Sequence, residues 1–134
     1  EACSETVKLF NANESKEAID NVYTYGHLGI ALTRTGKPHE GEVYLRKGVA
    51  LIAKVSPNDE VFNAVMKSGL AESLLAQNKI DEARPLVEDT YPIIKATFGK
   101  QNRFTIDALK RLVTLYEKMN NKELADKYRA ELPQ

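Results

Sequence analysis

Few residues of this 134-residue chain could do chemistry, and their spacing decides what kind. The two histidines, His27 and His39, fall on different predicted helices with no cysteine or carboxylate at ligand spacing. Asp81-Glu82 and Glu88-Asp89 are paired carboxylates only in sequence, since adjacent residues do not face each other on a helix. They read as solvated faces rather than an acid–base pair. Cys3 is the single cysteine, so neither an internal disulfide nor a multi-cysteine metal site can form. No glycine-rich phosphate loop, nucleophile elbow or helical metal-ligand pair is present. Catalytic residues, metals and cofactors are therefore not expected, and the chain is read as no enzyme. The remaining chemistry is recognition. Lys110, Arg111 and Lys118 share roughly one face of a predicted helix. That face suits an acidic side chain or a terminal carboxylate.

Composition narrows the partner. Lys plus Arg and Asp plus Glu number 19 each, so the net charge is zero, which disfavours a nucleic-acid binder. Residues 1–94 carry 10 basic and 14 acidic side chains, whereas 95–134 carry 9 and 5, so the basic excess lies toward one end. A hydrophobic fraction of 43% is that of a folded domain. No apolar run approaches the ~18 residues of a membrane span, so membrane insertion is not expected, and no signal peptide is visible. The expected compartment is the cytoplasm. The first residue is Glu1, which reads as a chain excised from something longer or processed.

The elements that position these residues repeat. Leu28, Leu70 and Leu112 stand 42 residues apart, as do Gly29, Ala71 and Val113. Leu32, Leu74 and Tyr116 keep the interval, and so do the turn residues Gly36, Asn78 and Asn120 and the small residues Gly41, Ala83 and Ala125. Five columns in register across three copies predict an array of antiparallel helix pairs. The helices are expected at about 17–35 and 38–55, 59–77 and 80–99, then 102–119 and 122–132. Residues 1–10 fit the second helix of an incomplete preceding pair. Cys3 shares a column with Leu45 and Val87, and Val7 with Val49 and Tyr91. Residues 11–15 are then a connection. Pro92, well inside its helix, predicts a bend or break between Glu88 and Ile93.

Within each copy the order is leucine, small residue, a large residue three later, turn, small residue, large residue. This resembles the tetratricopeptide repeat. Copy one reads Tyr25-x2-Leu28-Gly29-x2-Leu32, then Gly41-x3-Leu45; copy two Leu70-Ala71-x2-Leu74, then Ala83-x3-Val87; copy three Leu112-Val113-x2-Tyr116, then Ala125. A period of 42, longer than the usual ~34, is similar to the kinesin-light-chain-like variety. The pattern departs at Lys67 and Leu109, which are not aromatic, and at Arg129 in the large slot of copy three. The resemblance implies an all-α, right-handed superhelical array forming one domain over 1–134. It comprises a partial repeat at 1–14 and full repeats at 15–56, 57–98 and 99–134.

The resemblance also implies a concave groove lined by the first helix of each copy. Carried over by position, the lining is Tyr23, His27, Ile30 and Arg34; then Ser68, Glu72, Leu75 and Ala76; then Lys110, Arg111, Thr114, Glu117 and Lys118. Tyr23, Ile30, Val65 and Leu75 form an apolar strip leading to the basic end. Two groove chemistries of the family are missing. Gly26 and Ile30 replace the Lys and Asn of the carboxylate clamp, and His27, Gly69 and Arg111 replace the asparagine ladder. The implied function is a non-catalytic protein–protein interaction module for a protein or peptide partner, acidic in character. The alternative is an assembly or spacer element that stacks through its end helices. Leu124, Tyr128 and Leu132 of the C-terminal helix then either mark a self-association face or fold back on the helix before. A more remote alternative is a regulatory accessory domain of a larger enzyme.

Overall fold

Three turns carry the fold, and all three use the same device. Gly36, Asn78 and Asn120 have positive φ (91°, 61° and 59°). Glycine meets no Cβ clash there, and asparagine tolerates this left-handed conformation better than most residues. The following amides, of Lys37, Lys79 and Asn121, donate to the carbonyls of Leu32, Leu74 and Tyr116 at 2.8, 2.9 and 2.9 Å. This is a Schellman ending, which satisfies orphan carbonyls and turns the chain back on itself. It recurs at the 42-residue interval of the sequence.

The structure, a computed structural model, describes the backbone of residues 2–133 and the side chains of residues 16–133. Among the described residues it is all-helical: α1 (Ala2–Arg34), α2 (Pro38–Val55), α3 (Glu60–Ala76), α4 (Ile80–Phe98), α5 (Arg103–Lys118) and α6 (Lys122–Glu131). Each helix packs on its sequence neighbours, and α1 packs also on α3, and α3 on α5. No described helix is long and apolar enough to cross a membrane. Pro38 opens α2 at a position where a missing N–H costs nothing. Asp59, Asn102 and Asn121 cap α3, α5 and α6 through side-chain oxygens that accept backbone amides.

The main core joins α2 to α6 through Leu45, Leu70, Leu74, Val87, Ile94, Leu109, Leu112, Leu115 and Ala125. A smaller cluster of Val22, Ile52 and Met66 ties α1 to α2 and α3. Helix pairs approach closely where small residues meet. A Cβ placed on Gly29 would lie 2.9 Å from the Gly41 carbonyl oxygen and 2.5 Å from Leu45 Cγ. Alanine there would force the two backbones apart, at a cost of ~1–3 kcal/mol.

Two local expectations differ from what forms. The connection expected at residues 11–15 is helical, so α1 is one helix of 33 residues. That stretch, Asn-Ala-Asn-Glu-Ser, contains no glycine or proline, and asparagine costs a helix only a fraction of a kcal/mol. The core roles expected of Cys3 and Val7 lie outside the described side chains. The break expected at Pro92 is also absent, since α4 is continuous through both Pro85 and Pro92. Pro92 is exposed, so its ring is accommodated outside the core.

At the C-terminal end the apolar residues of α6 fold back. Leu124, Tyr128 and Leu132 are half-buried and pack on the main core. The Tyr128 ring stacks on Tyr116 (centroids 5.7 Å apart, planes at 15°) and meets Tyr91 edge-on at 6.1 Å.

Candidate functional site: a groove across α1, α3 and α5

A groove of about 440 Å³ opens where the ends of α1 and α3 meet the middle of α5. The last turn of α1 supplies Thr33 and Arg34, α3 supplies Glu72, Leu75 and Ala76, and α5 supplies Asp107, Lys110, Arg111, Thr114 and Lys118. All three are first helices of a pair, so their groove-facing positions follow from the 42-residue register.

A chain of charge crosses the floor. Arg34 donates from Nε to Glu72 Oε2 at 2.9 Å and from Nη2 to Oε1 at 3.1 Å. The same Nη2 lies 3.8 Å from Asp107 Oδ2. Arg111 reaches Glu72 Oε1 from the other side, Nε at 3.1 Å and Nη2 at 3.0 Å, and donates from Nη1 to Ser68 Oγ at 2.9 Å. One carboxylate thus fastens three helices through two guanidiniums. Burial alone would raise the Glu72 carboxyl, but the hydrogen bond from Arg34 and the charges of Arg111 and Arg34 hold it below the usual carboxylate range. The Arg111 side chain is only 10% exposed. Its desolvation lowers its pKa from the ordinary arginine value, against the pull of Glu72 and Asp107. Arginine stays charged over any ordinary pH.

The cations therefore divide into two kinds. Arg34 and Arg111 are engaged with Glu72 and Asp107. Lys110 is exposed and forms no ion pair with any described residue. Lys118 is exposed and donates only to a neutral group, Asn78 Oδ1, at 2.7 Å. Four cations face two carboxylates, and the unmatched excess sits on the two lysines.

Eight of the residues singled out from sequence come together here: Arg34, Glu72, Leu75, Ala76, Lys110, Arg111, Thr114 and Lys118. The others lie outside the groove lining. Tyr23 and His27 are exposed further up α1, where the Tyr23 ring sits 5.0 Å from that of Phe62. Ile30 is half-buried against the main core. Ser68 is buried and serves as an acceptor for Arg111. Glu117 is paired with Arg129 at 3.1 Å. Asp107 and Thr33 were not singled out from sequence. Asp107 was within reach, because it stands 42 residues after Val65 and 84 after Tyr23, both members of the expected strip. Thr33 was within reach by the same register, since it stands 42 residues before Leu75 and 84 before Glu117, both in the expected lining; its hydroxyl donates to the Gly29 carbonyl at 2.8 Å.

A second hollow of similar volume lies between α4 and α6, lined by Tyr91, Pro92, Lys95, Lys127, Tyr128 and Glu131. Its Lys95 is matched by Glu131 at 3.3 Å, which leaves less unbalanced charge than the first groove holds. Comparison of the chain with protein-family models, with curated proteins and with solved structures finds no match.

Proposed function

We propose that the chain is a non-catalytic interaction module that holds an acidic peptide segment in the α1–α3–α5 groove. The helix pairs stack as a tetratricopeptide-like, right-handed superhelix, and the groove is part of its concave side. What supports this reading is the division of the cations. Glu72 and Asp107 occupy Arg34 and Arg111, so Lys110 and Lys118 face the groove without a carboxylate of their own. A side-chain or terminal carboxylate of the partner neutralises them. Ala76 and the narrow open edge of the otherwise buried Leu75 supply the apolar wall on which the rest of the segment rests. The lysines set orientation and association rate. Arg111 is part of the frame rather than a contact, because moving its guanidinium would strand Glu72.

Fluorescence anisotropy with a labelled acidic peptide library and its amide-for-acid counterpart tests this. The acidic library should bind, the neutral one should bind less, and Lys110→Glu with Lys118→Glu should abolish the difference. The effect should shrink as salt rises. Equal binding of both libraries, or an unchanged double variant, overturns the assignment.

A further inference from the structure

The first helix pair exposes a face that the other two bury. Thr24, Leu28 and Ala31 of α1 are exposed, Leu28 at 40%. Their equivalents 42 residues on, Met66, Leu70 and Ser73 of α3, are buried, and so are Ala108, Leu112 and Leu115 of α5. The second helix of the preceding pair packs on each of these helices, α2 on α3 and α4 on α5. The contacts of α2 with α3 define the fit: the Leu45 side chain lies 3.5 Å from a Cβ placed on Gly69, and Gly48 sits against Met66.

The covering helices bury a fixed set of residues. Leu45, Gly48 and Ile52 are buried on α2, and Val87, Thr90 and Ile94 on α4. Forty-two residues before the α2 set stand Cys3, Thr6 and Phe10. Val7 likewise precedes Val49 and Tyr91, and Leu9 precedes Leu51 and Ile93. Residues 2–10 therefore carry the sequence of a covering helix. Yet they belong to α1, which runs on without interruption to Arg34. A continuous helix cannot lie against its own flank. Position 3 and position 27 of one such helix are about 36 Å apart along its axis, at 1.5 Å per residue. With 18 residues, α2 is long enough to accompany only about the second half of α1.

We propose that two copies of the chain exchange these segments. Residues 2–10 of each copy lie on the Thr24–Leu28–Ala31 face of the other, in the place α2 takes on α3. Exchange of an identical element is a low-cost route to a symmetric dimer. The face is separate from the groove, so this inference does not rest on the groove's function.

The α2–α3 fit sets a position for the test. Since Leu45 lies over Gly69, Cys3 of one copy should lie over His27 of the other. The full chain carrying His27→Cys has two thiols. Mild oxidation followed by peptide mapping should find Cys3 joined to the thiol at position 27 in a species of doubled mass. Light scattering should also report a dimer for the unaltered chain at micromolar concentration. Leu28→Glu should convert that dimer to monomer without loss of helical circular dichroism, because Leu28 is already exposed to solvent within one copy. The same disulfide in a monomer-sized species would mean that the segment folds back on its own chain, and would overturn the exchange. A monomeric unaltered chain, or a dimer that survives Leu28→Glu, would overturn it as well.

Discussion

Leu28 and Leu70 hold the same place in the 42-residue pattern, but Leu28 is 40% exposed and Leu70 4%. Ala31 and Ser73 repeat the contrast with reversed polarity: the apolar residue is exposed, and the hydroxyl is fully buried, donating to the Leu70 carbonyl at 2.7 Å. The two helix pairs share the left-handed turn and keep small residues at matching positions, Gly29 and Gly41 in one, Ala71 and Ala83 in the other. Burial in such an array is thus a property of the neighbour a helix receives. The repeat specifies which face must be covered, and the preceding helix decides whether it is.

The sharpest way to break this comparison is to truncate both leucines. Leu70→Ala removes a buried side chain from the centre of the main core and should destabilise the protein by ~2–5 kcal/mol. Leu28→Ala should cost the single chain well under half of that, since much of the side chain already meets water. Urea denaturation of the two variants at low concentration checks the ratio. Equal losses would mean that the α1 face is covered after all.

The seam between the first and second pairs offers a smaller effect, and a pH-dependent one. Glu42 of α2 accepts from Arg46 Nε at 2.6 Å, from Gln77 Nε2 at 2.8 Å and from Lys79 Nζ at 3.0 Å. Burial alone would raise its carboxyl, but these three donors bring it down to about 2. The folded value lies below the unfolded one of ~4.3. The stabilisation is therefore fully present above that unfolded value and is lost as pH falls toward 2. At 1.36 kcal/mol per unit, and allowing for the solvent around Arg46, it is on the order of 2 kcal/mol. Glu42→Gln should flatten part of the acid limb of the stability curve between pH 5 and 2. Glu72 and Glu88 are also held low, so some acid dependence remains in the variant. An acid limb identical to that of the parent would show that the seam contributes nothing.

The smallest effect lies between the second and third pairs. Thr105 of α5 is buried, and its Oγ1 has no hydrogen-bond partner among the described residues. A buried unpaired hydroxyl is costly, and valine has nearly the same shape. Thr105→Val should leave the fold unchanged and raise stability by up to about 1 kcal/mol. Calorimetry should show a higher Tm; a lower one would mean that the hydroxyl does find a partner.

Much of this was readable in the residues. The turn column Gly36, Asn78 and Asn120 marks three left-handed endings, because few other residues adopt that backbone so readily. The leucine and small-residue columns located every helix end except the start of α1 to within a residue or two. Missing were features that depend on what meets what across helices. Arg111 reads as an available cation in sequence, and only the meeting of α3 with α5 shows it engaged with Glu72. Asp107 breaks an apolar column, Tyr23 and Val65, so hydropathy alone passed over it. Pro92 reads as a break because sequence does not reveal which side of α4 faces solvent. The continuity of α1 through residues 11–15 was hidden for a simpler reason: periodicity says where a pattern resumes, not whether the helix between is interrupted.

The packing order of the six helices has one further consequence. Among the described residues, no helix touches another more than two places along the chain. Such contacts form between nearby stretches, so little loop entropy opposes them and assembly can begin at any pair. Loss of order can equally begin at one end and stop. Protection of backbone amides from exchange should therefore grade from the ends toward α3 and α4, rather than vanish all at once. A chain built this way has no closure to satisfy, and its length is free to change by whole pairs without rebuilding the rest.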